Sequence, residues 1–170
     1  MGFNLINGIP AHVLFVHVVV VLIPLTALSL VLCAALPSVM RRFGPALPLL
    51  ALVTLVSVPL TTHAGEWLES HVQSNALVRR HAELGDGLLP WALGLFLMAV
   101  GVWWSYQRAE RARSKVDTNR TVRIPLRVAA AVLSLAVGAG AGVQVYRIGD
   151  SGAKAAWHDS YSATAHGDRY

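Results

Sequence analysis

Four stretches of this sequence contain no Asp, Glu, Lys or Arg: His12 to Val39, Pro45 to Thr62, Leu88 to Tyr106 and Val128 to Tyr146. Each approaches or exceeds the roughly 20 residues that an α-helix needs to cross the hydrocarbon core of a bilayer. Backbone amides and carbonyls find no water there, so they must bond to one another, which leaves helices or closed barrels. Barrel strands would alternate apolar and polar residues, and these runs do not. Composition agrees: 55% of the 170 residues are apolar, 14% are charged and mean hydropathy is +0.53, against about 25% charged in soluble proteins.

The expected fold is therefore all-α, an integral membrane antiparallel four-helix bundle. The helices are placed at about 11–39, 45–72, 76–107 and 124–146, so that residues 1–147 form the membrane domain. Residues 148–170, rich in Gly, Ala, Ser and Asp without helical periodicity, read as a loosely ordered polar tail. The first run has no basic segment ahead of it and is long for the core of a signal peptide, so it reads as a retained first helix. Pro24 should kink that helix and Pro90 should bend the third, because each removes a backbone donor. The single cysteine, Cys33, excludes an intrachain disulfide.

Charge sets the topology. Arg41, Arg42, Arg108, Arg111, Arg113, Lys115, Arg120, Arg123 and Arg127 all fall in or beside the first and third loops, opposed only by Glu110 and Asp117. By the positive-inside rule those loops are cytoplasmic and both termini are extracytoplasmic. The net charge of +5 then belongs to membrane topology, with anionic lipid heads as a further partner, and nucleic acid is excluded as a partner for want of any recognisable motif. The expected location is a bacterial cytoplasmic membrane, in a multi-pass protein whose first partner is the lipid bilayer.

On this topology all seven histidines lie in the extracytoplasmic half. At 1.5 Å per residue, His17 and His63 come out roughly 30 Å above the cytoplasmic helix ends, and His12 and His81 roughly 40 Å. Ionisable residues at membrane depth are candidates for function, and imidazole ligates haem iron, copper and zinc. His12 and His17, five residues apart, point about 140° from one another around a helix. Each would meet a partner on another helix, as His17 with His63 or His12 with His81. Carboxylates follow closely in "HAGEWLESH", which suits a second arrangement in which His63, Glu66, His71 and His81 hold a zinc, copper or iron ion. Plainer readings stand beside these: a polar cap for His12, a hydrogen-bonded core residue for His17, and wet helix ends for His63, His71, His81, Glu66 and Glu69.

Helix four carries Ala130, Ser134, Gly138 and Gly142 at four-residue spacing. Small residues so placed let another backbone approach closely. The same row leaves room, at Gly138 and Gly142, for a flat cofactor such as haem, or for a docking subunit.

The chain resembles a bacterial membrane family known as domain of unknown function 2231. The resemblance lies in "HVLFVHVVVVLIPL", "TTHAGEW", "RHAELGDGLLPWALGL" and a Gly-rich fourth helix running into "VYRIGDSGA". It carries over His12, His17, His81, Gly138, Gly142, Tyr146, Gly149 and Gly152. One departure is that relatives often read His-Phe-Pro after the second histidine, whereas Val18 follows His17 here and the proline waits until Pro24. Some relatives are joined to Rieske-type iron–sulfur domains, which implies electron transfer, although this chain lacks such cysteine–histidine pairs.

Two functions remain open on the residues alone. One is a small membrane redox protein that binds b-type haem or a transition metal and exchanges electrons with a quinone or a respiratory membrane partner. The other is a non-catalytic accessory subunit, with no cofactor and structural histidines. Self-association into a homo-oligomer is open under both. Hydrolysis is disfavoured because no Ser-His-Asp arrangement or phosphate-cradling loop is present. Transport is disfavoured because no paired broken-helix repeat is visible.

Overall fold

The computed structural model describes residues 5–113 and 120–158. Two short strands, β1 (Leu5–Ile6) and β2 (Ile9–Pro10), pair as an antiparallel hairpin. Its turn residues, Asn7 and Gly8, take φ of 52° and 81°, as the tight primed turns of hairpins require. Among the described residues six helices follow: α1 (Ala11–Ala35), α2 (Pro37–Phe43), α3 (Ala46–Glu69), α4 (Ala76–Asp86), α5 (Leu89–Arg113) and α6 (Arg120–Trp157). Four spans of the described residues are long and apolar enough to cross a membrane: Ala11–Ala35, Ala46–Glu69, Ala76–Arg111 and Pro125–Trp157. They form the expected bundle. α1 packs on α3 and α6, while α5 closes the ring between α3 and α6.

Three boundaries differ from the sequence expectation, each for a local reason. The first run does not continue to residue 39. Leu36 turns extended, at φ −116° and ψ 103°, because the ring of Pro37 disfavours helical backbone in the residue before it. Pro37 then opens the short helix α2, where its missing N–H costs nothing. Pro24, by contrast, lies inside α1 without interrupting it. The third expected helix is divided. α4 ends at Asp86, Gly87 and Leu88 turn, and Pro90 sits in the first turn of α5 rather than bending a longer helix. Asn75 caps the start of α4 by accepting from the Val78 amide at 2.9 Å. At the other end of α4, the Gln144 side-chain amide donates to the Leu84 carbonyl at 2.7 Å.

The third correction concerns the tail. α6 does not stop near Tyr146 but runs on to Trp157. Ile148 and Ser151 are buried there because α4 lies against this part of α6. Lys154 adds a 2.7 Å bond to Asp150 one turn earlier. Only residues 159–170 of the expected tail, His166 among them, lie outside the described residues.

Close packing of small residues holds the spans together. Ala51, Ala92, Ala99 and Ala141 are fully buried between larger residues such as Ile23, Leu30, Leu47 and Leu95. A Cβ on Gly138 would lie 3.1 Å from that of Ala27. Gly140 lies under the ring of Trp91. Within the bundle Thr54 donates to the Leu50 carbonyl at 2.9 Å, so it accepts from the Thr26 hydroxyl of α1 at 2.7 Å. The Ser134 side chain is also fully buried.

Candidate functional site

Two histidines from distant parts of the chain meet at the end of the bundle where α1 begins. His12 stands in the first turn of α1, and its Nδ1 lies 3.0 Å from the Thr61 carbonyl of α3. A carbonyl can only accept, so Nδ1 carries the proton and donates. His81 stands in α4, and its Nδ1 lies 3.1 Å from the Ile148 carbonyl of α6 and 3.1 Å from Ser151 Oγ. Ser151 gives its own proton to the Ile148 carbonyl at 2.8 Å, so its oxygen is free to accept from His81. In the neutral form both rings therefore share one tautomer. Nδ1–H is used against a neighbouring helix, and Nε2 keeps its lone pair.

The two seats are built alike. Each accepting carbonyl lies one turn before a glycine, Thr61 before Gly65 and Ile148 before Gly152. Each ring rests on that glycine. A Cβ at Gly65 would come within 3.0 Å of His12 Nδ1, and one at Gly152 within 2.9 Å of His81 Cε1. Only hydrogen at these positions lets the imidazole lie flat enough on the helix to reach the carbonyl. The ring centroids are 6.1 Å apart at an interplanar angle of 83°. Two histidines supply nitrogen donors of the kind that haem iron, copper and zinc accept. Metal-ligating histidines, moreover, usually donate their other nitrogen to a carbonyl or carboxylate, as these do to carbonyls.

The other candidates fall elsewhere. His17 is exposed, and its Nδ1 donates to the Val13 carbonyl of its own helix at 2.6 Å. His63 is exposed beside Glu66, 3.5 Å away, with 83% of its side chain accessible. His71 stacks on Trp67 at 4.2 Å and donates to the Trp67 carbonyl at 2.7 Å. The structure thus assembles His12 with His81 and leaves His17 and His63 apart. It does not gather His63, Glu66, His71 and His81 into one cluster. Among the described residues, no three His, Cys, Asp or Glu side chains stand close enough together to hold a metal ion. Helix geometry explains the separation. Thr61 and Gly65 define the face of α3 that meets His12, and a residue two positions beyond Thr61 points about 200° away.

The small-residue row on α6 is used inside the bundle. Ser134 is buried and Gly138 packs on Ala27, so the space at Gly138 is taken by α1. A Cβ added at Gly142 or Gly149 would meet nothing within 4 Å, and Tyr146 is 74% exposed. Sequence reasoning did not single out Thr61, Gly65, Ile148 or Ser151. The available signal was a glycine at helical register with each histidine's partner helix, in "TTHAG" and "IGDSG".

No curated protein and no solved structure matches the chain. A family model described as "Predicted membrane protein (DUF2231)" matches residues 8–165, and the chain belongs to that family.

Proposed function

We propose that this multi-pass membrane protein is a small redox carrier that binds b-type haem, or a lone transition-metal ion, through His12 and His81. The observation that supports the reading is the paired seat. Two imidazoles have their Nδ1 protons committed to carbonyls at 3.0 and 3.1 Å, which in the neutral form leaves both Nε2 lone pairs for a ligand, at a ring separation of 6.1 Å. A pair of nitrogen ligands without carboxylate suits haem iron, copper or zinc rather than magnesium or calcium. When bound, haem iron or copper would supply one-electron chemistry. The chain's own part is to fix both tautomers and to keep the rings perpendicular.

With the Arg-rich loops in the cytoplasm, the pair lies at the extracytoplasmic rim of a bacterial inner membrane. Electrons would pass there to or from a quinone or another membrane redox partner. Ser134 and Gly138 pack inside the bundle, so of the small-residue row behind the accessory-subunit reading Gly142 remains open.

The test is absorption of detergent-purified protein, expressed with haem supply, oxidised and then reduced with dithionite. A Soret band that shifts on reduction is expected. It should vanish in His12→Ala and His81→Ala and persist in His17→Ala and His63→Ala. If the protein shows no Soret band and no stoichiometric iron or copper by elemental analysis, the proposal fails, and zinc alone would not rescue it because Zn2+ has no redox chemistry.

A further inference from the structure

We propose that a groove between α4 and α6 binds the phosphate headgroup of an anionic phospholipid. The groove borders the seat of His81, since Ser151 lines both, but its cations are distinct from the histidine pair. The groove has a volume of about 230 Å3 and is lined by Arg80, Arg147, Lys154 and Asp150, with Leu77 and Leu84 as its apolar wall. This end of the bundle is poor in cations, since nine of the fourteen basic residues belong to the other end. Among the described residues its basic side chains are Arg79, Arg80, Arg147 and Lys154, and all but Arg79 line this one groove. Cations that topology disfavours have converged on a single place.

Their local partners do not neutralise them all. Asp150 holds Lys154 at 2.7 Å, and Glu83 stands 3.8 Å from Arg80. Arg147 has no ion pair or hydrogen bond among the described residues. The lining is therefore net positive around a free guanidinium, whose fork of donors matches phosphate oxygens. One turn below Arg147 on α6, Val143 is 59% exposed. A headgroup held at Arg147 would thus lay its acyl chain along an apolar helix face toward the hydrocarbon. That continuity favours a lipid over a free anion, and the positive balance favours an anionic lipid over a zwitterionic one.

Native mass spectrometry of the detergent-purified chain tests this, with phosphatidylglycerol, phosphatidylcholine and inorganic phosphate as the probes. Phosphatidylglycerol should bind more tightly than phosphatidylcholine. Arg80→Gln and Arg147→Gln should each weaken phosphatidylglycerol about fivefold, while Arg79→Gln should leave it unchanged. Both groove arginines are exposed, so the variants should keep the fold, and circular dichroism checks that. Wild-type affinity in the Arg80→Gln/Arg147→Gln double variant overturns the proposal, as does equal binding of phosphatidylcholine. Displacement of phosphatidylglycerol by equimolar inorganic phosphate would assign the groove to a free anion and overturn the lipid.

Discussion

Along the spans, Gly138 of α6 admits the Cβ of Ala27, and Gly140 admits the ring of Trp91. At the rim, Gly65 and Gly152 admit the rings of His12 and His81. The residue choice is the same and the outcome differs. Between the spans the neighbour is carbon, and close approach gives dispersion contact and nothing more. At the rim the neighbour carries nitrogen, and approach to the helix brings Nδ1 within reach of a carbonyl one turn earlier. Glycine thus packs in one region and orients in the other, which makes the two regions separable by mutation.

The largest effect should come from Gly138→Leu. The Cα and carbonyl oxygen of Ala27 lie behind its Cβ, at 3.8 and 4.0 Å, so backbone rather than a flexible side chain has to yield. A loss of about 1–3 kcal/mol is expected, read from the midpoint of unfolding in a denaturing-detergent titration. An unchanged midpoint would break the contrast from the packing side.

Gly152→Ala should cost less, about 1 kcal/mol, yet change the rim more. The added methyl would stand 2.9 Å from His81 Cε1 and 3.1 Å from Nδ1, so the ring must lift off the Ile148 carbonyl. Nitrogen-15 NMR of the labelled imidazole should show the Nδ1–H tautomer in the native protein and a tautomer mixture in the variant. Retention of the native tautomer would show that the glycine does not orient the ring. Gly142→Ala should have the smallest effect, because nothing lies within 4 Å of its added Cβ. Stability should hold or rise by up to about 1 kcal/mol from reduced backbone freedom, on the same titration.

The spans were legible because charge-free length alone decides them, and the breaks at Leu36 and Gly87 shift those ends without altering the bundle. The extension of α6 to Trp157 was not legible. Its residues are small and polar, and what keeps them helical is α4, more than sixty positions away in the chain, through contacts such as His81 with Ile148 and Ser151. The histidine pairing was half legible. Rise per residue gave the height of His12 and His81, but height says nothing of azimuth. His17 and His63, at matched heights by the same count, leave the interface because helical rotation turns them away from it. Facing direction depends on which helices are neighbours, and that is tertiary information.

The bond from Gln144 to the Leu84 carbonyl gives α4 a second fixed end, opposite the Asn75 cap. His81 therefore rides on a helix tied to α6 about one turn further on, at Leu84, as well as through its own ring. The position of the His81 ring is thus set jointly by α4 and α6, the two helices that this bond ties together.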